Sequence, residues 1–183
     1  MVEIEQRKHC RKGALMRTSI LGILPNYEPR IAEDVCKLTH YDPRCIGSCV
    51  LLCSLIYSLI YDNIPMSYNQ ILQIADIYDS RIREYTEKAK EDDFAAVTID
   101  NPSMGYTLTT LFVALWTYFH APSFEEGLLT VVNAGGDADT NAAVACSLLG
   151  AKFGFNTIPE YYWKNLYQLS TLINTTQRLL SII

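Results

Sequence analysis

The chain has 183 residues, enough for one domain with a buried core, and 1–183 reads as a single domain. Hydrophobic residues make up 49% and charged residues 19%, the balance of a folded globule and not of a disordered tail. The formal net charge is −5, and Arg7-Lys8-His9-Cys10-Arg11-Lys12 is the one long basic stretch, which argues against a nucleic-acid partner, because binding phosphates needs a cationic face.

The first twelve residues carry charges throughout and lack the apolar run of a signal peptide, so a cytoplasmic location is expected. Pro29 suits the first turn of a helix covering residues 31–40, where its missing N–H costs nothing. Asp42-Pro43 is a cap followed by a first-turn proline, and it opens a helix over residues 45–61. Those residues carry no charge and fall just short of a spanning length. Three serines, three cysteines and a glycine among them fit a buried central helix of a bundle better than a membrane span. Ser67 with Gln70 forms a capping box ahead of Ile71, Leu72, Ile74, Ala75, Ile77, Tyr78, Ile82 and Tyr85, whose spacing predicts one amphipathic helix with a solvated end. Residues 91–104 read as a loop, with Asp100-Asn101-Pro102 as punctuation. Helices are expected over residues 107–119, from a second capping box at Ser123 and Glu126 to about Val132, and from near Asp139 to an αL cap at Gly154. A last helix follows Pro159. Strand-like alternation is nowhere sustained, so the fold is expected to be all-α.

The six cysteines form no CxxC pair, and Cys45, Cys49 and Cys53 recur every four residues as small fillers of one helical face. Reduced thiols are expected. A zinc site of Cys36, His40, Cys45 and Cys49 matches in count but in no known spacing, and inert packing is the preferred reading.

The chemistry concentrates at Gly135-Gly136-Asp137-Ala138-Asp139-Thr140-Asn141. Two glycines let the backbone take a positive φ or pass close to a ligand. Asp137, Asp139 and Thr140 then offer two carboxylates and a hydroxyl at a helix entry, hard donors that suit Mg²⁺ or Mn²⁺ better than zinc. An EF-hand is excluded, because Ala142 and Leu148 stand where its glycine and terminal glutamate belong. An ordinary helix cap would use the same residue types.

Residues 131–143, followed by Leu148-Leu149-Gly150-Ala151-Lys152-Phe153-Gly154 and Ile158-Pro159, resemble the C-terminal signature of the ADP-ribosylglycohydrolase family. Gly105-Tyr106-Thr107-Leu108-Thr109-Thr110-Leu111, Lys12-Gly13-Ala14-Leu15-Met16-Arg17, and Leu38-Thr39-His40 with Asp42-Pro43-Arg44-Cys45 resemble further motifs of that family, in its order. The resemblance implies a compact orthogonal bundle of helices and a two-magnesium hydrolase that releases ADP-ribose from protein side chains or small acceptors. It implies that Asp137, Asp139 and Thr140 are metal ligands, with Asp137 and Asp139 central to catalysis. It also implies that Gly13, Ala14, Met16 and Arg17 wrap the ADP-ribose phosphates and ribose. There the glycine permits close approach and the backbone N–H groups offer an anion nest. His40 is expected at the adenosine side of the cleft, and Gly105 and Tyr106 at the adenine pocket.

The sequence departs from the family's pattern in three ways. The family's Ser/Thr-Asp-Asp-Thr motif is absent, so the chain is expected to be N-terminally truncated and to lack metal ligands. Lys12 replaces the family's usual asparagine, and Ser19-Ile20-Leu21-Gly22 lacks its proline. The alternative to a hydrolase is therefore a catalytically impaired ADP-ribose- or nucleotide-binding or structural module. A second copy or a complementary N-terminal fragment would then cover the apolar surface left bare.

Overall fold

The computed structural model describes residues 10–62, 64–91, 93–97 and 105–183. Those residues form helices, with no strand among them beyond an isolated antiparallel bridge between Arg11 and Tyr106. In chain order they are α1 (Gly13–Thr18), a 3₁₀ turn (Ser19–Ile23), α2 (Pro29–Lys37), α3 (Pro43–Tyr61), α4 (Tyr68–Tyr78) and α5 (Ser80–Lys90). Then follow α6 (Thr107–His120), α7 (Phe124–Asn133), α8 (Ala138–Phe153), the single turn α9 (Glu160–Trp163) and α10 (Leu169–Leu180).

Helix α3 is the hub. Asp42 caps it, accepting the Arg44 N–H at 2.9 Å, and Pro43 occupies its first turn. Cys45, Cys49 and Cys53 are fully buried together with Leu51, Leu52 and Leu55. Each leucine contributes about 1.5–3 kcal/mol by leaving water. Among the described residues α3 is the helix long and apolar enough to cross a membrane by length and composition, and 78% of that stretch is buried inside the protein. Helices α1, α2, α4, α5, α6 and α8 all pack on it. All six thiols are free; Cys10 and Cys45 face each other at 3.1 Å between sulfurs.

The capping box at Ser67 and Gln70 forms, and Ser123 accepts the Glu126 N–H at 3.1 Å. Three expectations need correction. The single helix expected through Tyr85 breaks at Asp79, whose backbone is extended (φ −159°, ψ 131°). Its carboxylate accepts the Arg81 N–H at 2.9 Å and pairs with that arginine's guanidinium at 2.7 Å, so local side-chain bonding starts a new helix. Gly154 ends α8 with a positive φ of 85° but an extended ψ of 156°, which is not the αL cap expected. The helix after Pro159 stops at Trp163 and resumes at Leu169, past Gln168 in a left-handed conformation. Of the loop expected over residues 91–104, residues 92 and 98–104 lie outside the described residues, and Phe94–Ala96 is a 3₁₀ turn.

Candidate functional site

The glycine-rich loop joins α7 to α8. Gly135 and Gly136 both take positive φ (77° and 63°), where another residue type would cost about 1–2 kcal/mol at each position. This reversal delivers Asp137 to the start of α8, and its carbonyl accepts the Asn141 N–H at 3.0 Å. The Asp137 side chain does not cap the helix. Asp139 is exposed, and its carboxylate accepts the Thr140 N–H at 2.8 Å. Asn141 is 2% exposed and accepts the Thr110 hydroxyl at 2.8 Å, which ties the first turn of α8 to α6.

Opposite the loop runs the segment that precedes α1. The Lys12 N–H donates to the Gly105 carbonyl at 3.2 Å, and the Thr107 N–H to the Cys10 carbonyl at 3.1 Å. Gly105 has a φ of 87°, a left-handed conformation that favours glycine at this position. Lys12, held by the pairing, is only 7% exposed, and its ammonium forms an ion pair with the Asp137 carboxylate. The Lys12 ammonium holds the Asp137 carboxyl below the usual carboxylate range; burial opposes this, and the Thr140 hydroxyl adds to it.

The remaining sequence-predicted residues divide into two groups. Gly13 is exposed at the start of α1, and a Cβ on it would lie 3.8 Å from His40 Cε1. His40 Nδ1 lies 2.6 Å from the Thr39 hydroxyl, and burial, aided by the Arg17 charge, pushes its imidazole below the ordinary value. Arg17 donates to the Val35 and Cys36 carbonyls at 3.0 and 3.4 Å, satisfying the C-terminal end of α2. Met16 is 45% exposed. Gly13, Met16 and Arg17 are thus exposed along α1, and the half-buried His40 adjoins Gly13. The side chains of Ala14 and Tyr106 are both buried. Tyr106 accepts from Arg44 Nη1 at 3.3 Å, and Arg44 pairs with Asp42 at 2.5 Å. The segment at 13–17 is also helical from Gly13 on and not an open turn, which fixes its N–H groups along a helix axis.

Over residues 3–183 the chain matches the family model described as ADP-ribosylglycohydrolase. The chain belongs to the ADP-ribosylglycohydrolase family. A protein of Archaeoglobus fulgidus described as uncharacterized is 32% identical over 162 residues, which are 84% of this chain and 52% of that protein. An ADP-ribosylarginine hydrolase of Serratia proteamaculans is 32% identical over 96 residues, 52% of this chain and 24% of the relative. A solved ADP-ribosylglycohydrolase-related protein complex contains a chain that superposes with a TM-score of 0.70 at 25% identity, over 90% of this chain and 58% of that one. The chain thus spans about half the length, or less, of the relatives it matches.

Family membership raises the question of whether the loop fits the two magnesium ions that the resemblance implies. It does not fit them in the arrangement seen. Among the described residues no three His, Cys, Asp or Glu side chains converge as a metal site requires, and this covers the zinc set of Cys36, His40, Cys45 and Cys49. Asp137, Asp139 and Thr140 supply hard oxygen atoms from a single loop, and the charge of Asp137 is already answered by Lys12. Sequence reasoning noted Lys12 as a departure from the family pattern and missed its partner. It also gave no role to Asn141 and Thr110, whose hydrogen bond ties the first turn of α8 to α6.

Proposed function

We propose that the chain is an ADP-ribosylglycohydrolase-type hydrolase that acts on the glycosidic bond between ADP-ribose and a protein side chain or small acceptor. One observation carries the reading: the glycine-rich loop bearing Asp137 and Asp139 abuts the segment bearing Lys12 and Gly13, with His40 beside it, in a chain matched to the family over residues 3–183. Asp139, exposed at the mouth, is positioned to take a proton from water, and Asp137 is oriented by Lys12. Gly13, Met16, Arg17 and His40 would receive the ADP-ribose, with the Arg17 guanidinium favouring its phosphates. Magnesium or manganese on Asp137, Asp139 and Thr140 belongs to this reading only where Lys12 has withdrawn from Asp137. The buried Lys12 favours a second reading, an ADP-ribose-binding module that does not turn over.

Release of ADP-ribose from ADP-ribosylated arginine, followed chromatographically, distinguishes the two. The hydrolase reading expects release that falls by about a hundredfold or more in Asp139→Asn, the usual scale for loss of an acid–base group. Saturable binding of ADP-ribose with no release supports the module. Absence of binding in calorimetry removes both.

A further inference from the structure

The geometry points to Lys12 as the resident cation of the glycine-rich loop: its ammonium occupies the place on Asp137 that a divalent ion would take, and it competes with any such ion. Three observations support this. The ammonium is paired with the Asp137 carboxylate. Lys12 is 7% exposed, so it is not a surface lysine that has swung onto a convenient acid. Its backbone is held by the N–H bond to Gly105 at 3.2 Å, and its own carbonyl accepts the Met16 N–H at 3.0 Å, so the side chain leaves from a fixed point.

The physical consequence follows from charge. The buried ammonium of Lys12 needs a counter-charge, which the half-buried Asp137 supplies, and in return Asp137 gains a cation that is covalently attached and therefore never diluted. A divalent ion arriving at Asp137 has either to sit against the ammonium, with strong like-charge repulsion at short range, or to expel it. Expulsion would move a buried lysine into water and break the packing around its stem. Asp139 is exposed and Thr140 half-buried, and together they offer one free carboxylate, which binds Mg²⁺ or Mn²⁺ only weakly at neutral pH. Lys12 also holds the loop to the segment that opens α1, so loop and segment keep one spacing without an ion between them.

The test uses Mn²⁺ alone, titrated into the full chain by calorimetry and by electron paramagnetic resonance. Binding by Lys12→Met and Lys12→Asn is expected to be tighter than that of the unchanged chain by about tenfold or more, and to vanish when Asp137→Asn is added. Mn²⁺ bound by the unchanged chain as tightly as by these variants, in a manner that depends on Asp137, would overturn the proposal. Should both variants fail to fold, acylation of Lys12 in the unchanged chain gives the answer. Slow labelling of Lys12 that quickens only as Mn²⁺ binds supports a resident cation in competition with the ion; labelling as fast as that of the exposed Lys164 before any Mn²⁺ is added, or unaltered while Mn²⁺ binds through Asp137, refutes it. Neither readout involves ADP-ribose, so the result is independent of the proposed hydrolase activity.

Discussion

Arg44 carries its charge where only 3% of the residue meets solvent, and three bonds to Asp42 make that tolerable: one to the backbone N–H at 2.9 Å and two to the guanidinium at 2.8 and 2.5 Å. A carboxylate that both caps a helix and neutralises a buried arginine does two jobs, and its removal costs more than an ordinary cap. Asp42→Ala is expected to lower stability by about 3 kcal/mol, read as a shift in urea midpoint with an unchanged slope. The pH dependence follows from the same contact. Burial raises the Asp42 carboxyl, but the bonds to Arg44 outweigh it and hold the group below its ordinary value. The folded chain therefore binds that proton less readily than the unfolded one, so the contribution is complete above about pH 4 and is lost as pH falls through the lowered value. In Asp42→Ala that component of the acid unfolding profile is expected to disappear. The role of Asp42 as a cap was legible in the sequence because Pro43 follows it; its grip on Arg44, and that of Arg44 on Tyr106, were not, because they depend on which side chains tertiary packing turns inward.

Between α4 and α5 the same pattern recurs as Asp79-Ser80-Arg81, and here sequence reading failed. The apolar spacing runs on through Ile82 and Tyr85, and a period of 3.6 residues is blind to a single extended residue that resets the helix without spoiling the phase of its buried face. The break lets Tyr78 and Ile82, one on each side of it, press on the same spot of α3. That spot is Gly47, where a Cβ would lie 2.6 Å from Tyr78 Cβ and would also collide with Ile82 Cδ1. Helices α3, α4 and α5 meet through this missing side chain. Gly47→Ala raises helix propensity in α3, yet it is expected to destabilise the protein by about 1–3 kcal/mol through overpacking, visible as a lowered thermal midpoint. Capping boxes and the central apolar helix were readable because their causes lie within a few residues. The close approach at Gly47 was not, because a glycine inside an apolar helix carries no sign of what will lean on it.

Across the whole molecule, packing is dense around α3, α6 and α8 and thins toward the C-terminal end. No residue of α10 is buried, and its apolar side opens, with Phe155 and Trp163, onto a groove of about 660 Å³ lined also by Leu169, Leu172, Ile173 and Leu180. Removing residues 166–183 is therefore expected to move the thermal midpoint of the remainder by less than about 3 °C, measured by circular dichroism at fixed concentration. The all-α class, the order of most helices and the site loop were all legible, since each announces itself locally. The union of the loop with Lys12 was not, because these residues lie more than a hundred positions apart in sequence and only the fold joins them. The pairing of residues 10–12 with 105–107 has a consequence for the chain as it is made. A segment near the start has to wait for backbone partners on the order of a hundred residues downstream, and then for Asp137, before it has anywhere to dock. The packing of α2 and α4 on α3 needs no such delay, whereas that of α6 and α8 waits for the same downstream residues. The candidate site and the part of the core built on α1, α6 and α8 thus depend on the same contacts of long sequence separation, so core and chemistry close together.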